Sequence, residues 1–439
     1  MAWRVLILAF CAQVVFVACG ATTYQSPSPN ATPTSAPHPS GPQTPAATAT
    51  TELIASPVAT PTSPPSPSPS PSPRPTATPI DYRGWIPLSS GGLLANPFLA
   101  WSADGQHILV VRTSVNDPAS SQFVDVFDRD GNLIQTFQGY DDAVWLDSER
   151  IALSVYKRAS GQIVSQERVG LPQASSFVAR LGSNDVEAVD ANLAYARSNG
   201  HGALAIMTCW ICRRGVGWYR EVAYQIWTWE GGLTAKQRGA PYAWSRSGDR
   251  LLVEHPLESG PTRDSWWEIV TWPGLDRYAR GGGVFDADFT RSARWYGDGE
   301  GVPGRIEVTN LLTGRQESFE NPYESGNAAW DADGRLVLTD YESGEATAHA
   351  LDGSVLDRWD RVGNYVSTSA DHSTLVFWYW DQLDEPQVLS VLKDTELTSV
   401  TTPAPFFVGF DAVHVSPDGS AMVIVCYLAG QERALLFRL

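Results

Sequence analysis

At 439 residues the chain has room for one large domain or two ordinary ones. Residues 1–80 carry only Arg4, Glu52 and Arg74, so of the chain's net −17 the remainder, with 29 basic and 47 acidic residues, holds −18. A head this acidic repels nucleic acid and anionic lipid headgroups as general partners, and suits either the solubility of an exported protein or a cationic ligand.

The first residues read as an export signal. Arg4 precedes the apolar run Val5–Leu8 and then Ala9–Ala18, broken only by Gln13. That run is of signal-peptide length and short of the roughly 20 apolar residues a spanning helix needs. It ends in Phe16-Val17-Ala18-Cys19-Gly20, small residues before a Cys, which resembles the bacterial lipobox. By that resemblance residues 1–18 are a lipoprotein signal peptide and Cys19 becomes the diacylated N-terminus. The bilayer is then a partner only through the acyl anchor, at the outer face of the cell membrane. An ordinary secretory signal cleaved nearby is the alternative, and either one takes the protein out of the cytoplasm.

A stalk follows. Residues 25–79 are almost entirely Pro, Ser, Thr and Ala, ending in the Ser-Pro alternation 66–73. Proline locks φ and lacks an amide donor, so this segment joins neither sheet nor helix, and it has little apolar surface to bury. Residues 19–80 are therefore expected to be a disordered, extended linker that holds the head away from the anchor.

From residue 81 to 439 the chain reads as one all-β domain. The 17 Trp and 37 Gly of the chain, nearly all of them in this domain, suit strands and tight turns, and no helical period is sustained. One short pattern recurs: Leu99-Ala100-Trp101-Ser102-Ala103-Asp104-Gly105 before an apolar strand, then Tyr242–Gly248, Ala328–Gly334 and Val413–Gly419. Weaker copies end near 146, 198, 289 and 369. The starts are about 38 to 52 residues apart, the period of a propeller blade. Ser and Asp in such a turn bond nearby amides, Gly supplies positive φ, and the preceding Trp fills the wedge between blades. Calcium is the rival reading at Asp331-x-Asp333-Gly334 and Asp128-x-Asp130-Gly131, but both lack the oxygen series and late Glu of a calcium loop.

These copies resemble the WD-like, TolB-type propeller repeat, an apolar strand, Trp-Ser-Pro-Asp-Gly and a second apolar strand. The resemblance covers most of 97–439, although only Ser416-Pro417-Asp418-Gly419 keeps the Pro. It implies a β-propeller. Eight starts predict eight four-stranded blades, or seven if 142–200 forms one blade instead of two. The last unit has three strands before the chain ends, so Gly84–Leu88 is expected to supply its fourth and close the ring.

In such a propeller the patterned turns share one face, and the connections between second and third strands share the other. The latter are the long ones: Thr113–Gln122, Thr208–Glu221, Glu254–Ser265, Gly297–Gly304 and Asp381–Glu385. Extra length confined to one face points to binding. In the richest loop Trp210, Arg213, Arg214, Trp218, Tyr219 and Arg220 are candidate ligand contacts, with Trp266 and Trp380 near the ends of other such loops. Self-packing of these rings is the structural alternative. Cys209 and Cys212 form a lone CxxC. A small structural disulfide suits an exported protein, and a redox pair, a zinc site and free thiols are the other readings.

No Gly-x-Ser-x-Gly elbow, His-Glu-x-x-His helix or phosphate-binding Gly-Lys-Ser/Thr loop is present, so no catalytic residue, metal site or cofactor is assigned. The expected function is a binding module that recognises a protein, peptide or glycan through its long-loop face. A secreted glycan-active hydrolase or lyase using the channel, and a subunit of a cell-envelope complex, are the alternatives. Labelling with a fatty-acid analogue should mark the wild type and miss Cys19→Ala, which should also leave the membrane. A labelled, membrane-bound variant would overturn the lipobox reading.

Overall fold

The computed structural model describes residues 84–439, apart from 89–98, 114–121, 157–173, 210–211, 215–216, 220–221, 256–265, 297–303, 324–325, 380–385, 406–412 and 429–430. The signal peptide, Cys19 and the stalk lie outside the described residues, and for Cys209, Cys212–Arg214 and Gly217–Tyr219 only the backbone is described.

Eight antiparallel sheets make the blades of a β-propeller. Their first strands, in chain order, are Leu99–Trp101, Asp142–Trp145, Arg197–Ser198, Ala240–Trp244, Val284–Phe285, Gly326–Trp330, Tyr365–Thr368 and Val413–Val415. In blades 1 to 7 the strands of each blade pair in chain order; in blade 3 a separate hairpin, Cys212–Arg214 with Gly217–Tyr219, lies between the second strand Ala203–Cys209 and the third Ala223–Thr228, and the fourth strand is split into Gly232–Leu233 and Gln237–Arg238. The stretch 142–200 holds the whole of blade 2 and the first strand of blade 3, which decides for eight blades over seven.

The second strands are apolar on both faces because each blade is covered on both sides. Ile108 and Val110 pack with Val423, Val425 and Leu436 of blade 8, while Leu109 and Val111 pack with Ile151 and Leu153 of blade 2. Alternate side chains thus feed two different interfaces, the period-2 geometry of a strand used twice.

The turn after each first strand is built the same way in all eight blades. One side-chain oxygen accepts the amide at or just before the start of the second strand. Ser does this in four blades, with Ser102 to His107 (2.9 Å), Ser245 to Arg250 (3.1 Å), Ser369 to Thr374 (3.0 Å) and Ser416 to Ala421 (3.0 Å). Asp147, Asp286 and Asp331 take Arg150, Arg291 and Arg335, and Asn199 takes Ala203, at 2.8–3.1 Å. Asp331 also binds the Arg335 guanidinium, and Asp128 accepts the amides of Asp130 and Asn132. Of the carboxylates that suggested calcium, Asp128 and Asp331 are therefore engaged in closing their own turns, while Asp333 pairs with Arg335 and Asp130 with Arg438 of blade 8.

The Trp that precedes four of these turns adds a link between blades. Its indole N–H donates to a carbonyl in the first strand of the preceding blade: Trp145 to Ala100, Trp244 to Arg197, Trp330 to Val284, and Trp101 to His414. The last of these spans blades 1 and 8. Each such bond is worth about 1 kcal/mol net, on top of the burial of the ring.

Closure uses the segment just after the stalk. Ile86 and Pro87 pair with Leu436 and Leu435 on the outer edge of blade 8, and the Leu88 amide donates to Ala434 at 3.0 Å. Pro87 is tolerated because its strand is the outermost, where one side needs no ladder. Trp85 is 3% exposed, packs on Phe437 and donates to the Thr401 carbonyl of blade 7. Trp85→Ala should therefore cost about 3–5 kcal/mol. It should lower the melting temperature clearly, whereas deleting 25–75 should leave it nearly unchanged. Equal melting of the two variants would argue against closure by this segment.

Candidate functional site

Because successive strands run in opposite directions, the patterned turns sit at one end of each blade and the second-to-third connections at the other. The turn end is uniform. At the loop end the connections run from 114–121 in blade 1 and 157–173 in blade 2 to 341–345 in blade 6 and 429–430 in blade 8. In blade 3 the connection from Cys209 to Ala223 carries its own hairpin, in which Cys212 pairs with Tyr219, Arg213 with Trp218 and Arg214 with Gly217. The hairpin thus sets Arg213, Arg214, Trp218 and Tyr219 at the loop end of blade 3. Trp210, Arg220 and Trp380 lie outside the described residues, and so do the thiols of Cys209 and Cys212. Cys426, in the second strand of blade 8, is a fully buried free thiol, and burial pushes its pKa up to about 12.

The best-defined group of side chains at this end is on the neighbouring blade 4. Its second strand Arg250–His255 ends, and its third strand Trp266–Thr271 begins, on either side of 256–265. His255 and Trp266 are therefore direct cross-strand partners, and their rings stack at 3.9 Å with 6° between planes. The Arg280 guanidinium lies 4.2 Å from the centre of the same indole. A ring with His255 on one face has room for Arg280 only on the other, so Trp266 is held between them. It is a mounted ring rather than an open platform.

Glu268, two residues along the same strand, anchors the group. One carboxylate oxygen meets His255 Nε2 at 2.9 Å, and the other accepts from Arg277 Nε. Both His255 and Glu268 are buried, while Arg277 and Arg280 are exposed. Burial holds the His255 pKa below its ordinary value against the pull of Glu268, and the charges of Arg238 and Arg280 lower it further. Burial also raises the Tyr224 pKa to about 12, with Glu268 adding to it across from blade 3. With both oxygens of Glu268 committed and His255 stacked, this is a rigid mount that presents guanidinium groups at the rim. On the other face of the blade Tyr242, at a bulge in the first strand and 52% exposed, meets Trp267 edge to face at 4.8 Å.

Two further features lie elsewhere in the ring. A cavity of about 350 Å³ in the channel wall between blades 7, 8 and 1 is lined by Trp101, Ser367, Thr368, Trp378 and His414, among others. At the loop end of blade 2 the buried Asp142 accepts the amides of Ala143 (2.9 Å) and Tyr195 (3.0 Å). Burial raises the carboxyl pKa of Asp142, and it raises that of the neighbouring Tyr156 as well, where Asp142 and Tyr195 add to the effect. Tyr195 is exposed, stacks on Tyr156 at 5.8 Å and has φ of 56°.

Of the predicted contacts, Trp266 is therefore placed within a defined cluster, and the hairpin residues are placed by backbone alone. Tyr242, His255, Glu268, Arg277 and Arg280 are additional to the prediction. The signal for His255 was available: a residue that ends one strand faces the residue that begins the next.

No family model matches the chain, and no curated protein matches it. Solved structures similar to it include TolB from Acinetobacter baumannii, at 13% identity and TM-score 0.34 over 66% of this chain and 79% of that one. The β-propeller domain of the Trilobed protease from Pyrococcus furiosus is similar at 13% identity and TM-score 0.40, over 79% and 92%. An oligogalacturonate lyase in complex with manganese is similar at 11% identity and TM-score 0.41, over 81% and 93%.

Proposed function

We propose that the protein is an extracytoplasmic binding head, anchored through a lipidated Cys19, extended on its Pro/Ser/Thr stalk, and recognising a protein, peptide or glycan with its loop face. The observation that carries this is the contrast between the two ends of the ring. Eight turns at one end share a single hydrogen-bonding plan, while the connections at the other differ in length from blade to blade and include an extra hairpin. A closed ring has no need of that elaboration, and a rigid scaffold with one variable face suits recognition.

A glycan-active hydrolase or lyase is the second reading, and Asp142 is what favours it. A buried carboxyl whose pKa is raised, beside an exposed Tyr in left-handed backbone, has the makings of a general acid near the channel mouth. The structural role of Asp142, which ties the Tyr195 segment to blade 2, is the simpler explanation of its burial.

The mature chain, displayed on beads and screened against arrayed glycans and peptides, should capture a ligand without turning it over. Trp218→Ala with Arg214→Ala should weaken that capture by tenfold or more, since interface Trp and Arg are often worth ~2 kcal/mol each. Melting should shift by only a degree or two. A large fall in melting temperature with unchanged binding would mean that these residues pack rather than bind. Product formation that Asp142→Asn abolishes would favour the enzyme instead.

A further inference from the structure

We propose that the loop face of blades 3 and 4 takes a polyanionic polysaccharide, a sugar chain bearing carboxylates. This rests on the binding reading above and names the ligand class. The overall charge of −17 argues for the opposite partner, but the charge is not spread evenly over the ring. Between Arg197, which opens blade 3, and Gly281, which ends blade 4, there are 11 basic residues against 8 acidic ones. This sector alone is net positive by three, so the rest of the chain carries a net charge of about −20.

Within that sector the acids described toward the loop end are Glu254 and Glu268. Glu268, buried there, is already neutralised by Arg277 and engaged by His255. Arg280 is exposed, is braced against Trp266, and has no carboxylate partner among the described residues. Arg238 of blade 3 is close enough to act electrostatically on His255, which places a second guanidinium beside the same cluster. The hairpin pairing of Arg213 with Trp218 brings two more arginines, Arg213 and Arg214, to the loop end of the adjoining blade.

The chemistry of these groups selects the ligand. A guanidinium offers a planar fork that matches a carboxylate and stays charged at any physiological pH. Bracing Arg280 on an indole removes much of the side-chain freedom that binding would otherwise have to freeze. Nucleic acid has the wrong charge density for this surface, because a closely spaced phosphate chain would feel the acidic remainder of the ring over a Debye length of about 8 Å. A carboxylated sugar polymer carries less charge per unit length and can place it where the arginines are.

The test uses the full chain on immobilised alginate, with dextran as the neutral counterpart and poly-glutamate and single-stranded DNA as the other polyanions. Alginate should retain the protein at low salt and release it progressively as salt rises, and dextran should not retain it. Arg213→Glu with Arg214→Glu, and separately Arg280→Glu, should weaken binding to alginate at least tenfold. Arg180→Glu on blade 2, outside this sector, should leave it unchanged. Melting curves show that each variant is folded, and Arg280→Met provides a milder loss of charge should the reversal unfold the blade. Dextran bound as tightly as alginate, tighter retention on poly-glutamate or DNA, or charge-reversed variants that bind like the wild type would each overturn the proposal. If alginate is ignored while Trp218→Ala with Arg214→Ala still loses its arrayed ligand, the polyanion class falls and the binding head stands.

Discussion

The ring depends on one small interaction repeated eight times: a Ser, Asp or Asn oxygen that receives the amide at the start of the second strand. Without it, each turn would leave a strand-opening donor without a partner, partly buried beside the next blade, at a cost of about 1–3 kcal/mol. With it, the first two strands of every blade meet in a fixed register. Four of the first strands can then end on an indole that reaches back to the previous blade. The bond is local, but the fit between blades follows from it. A ring of wedges closes only if every wedge has the same shape.

This is also why so much of the fold was legible in the sequence. The capping oxygen, the Gly and the preceding Trp are neighbours in the chain, so their spacing shows directly where blades begin. Closure was legible for a similar reason, since a last unit with three strands requires a fourth from the other end, and Ile86–Pro87 supplies it. Copies were harder to recognise where another residue does the same work. Asn199 and Asp286 replace the Ser, while Phe289 and His372 occupy the Gly position with φ of 53° and 60°. A side chain there carries strain of about 1–3 kcal/mol, which the packing of adjoining blades must offset.

The candidate site was less legible because it is assembled across strands rather than along the chain. Trp266 was visible as an aromatic at a loop end. Its two partners come from the second and fourth strands, and what brings them together is register: His255 opposite Trp266, and Arg280 opposite Glu268. Such a stack has no spacing rule of its own. It also changes what the Trp can do, because a ring covered on both faces orients its neighbours instead of receiving a ligand. The surface proposed for binding therefore lies with the guanidinium groups that the ring supports.

The two ends of the ring thus differ, with a uniform end that holds the blades and a varied end that is proposed to bind. Hydrogen exchange resolved to single amides tests that difference most directly. The turn amides of His107, Arg150, Ala203, Arg250, Arg291, Arg335, Thr374 and Ala421 should be protected as well as the second-strand amides beside them, and should open together when the ring opens. Fast exchange at these eight positions, or blades that open one at a time, would contradict a ring held by its turns.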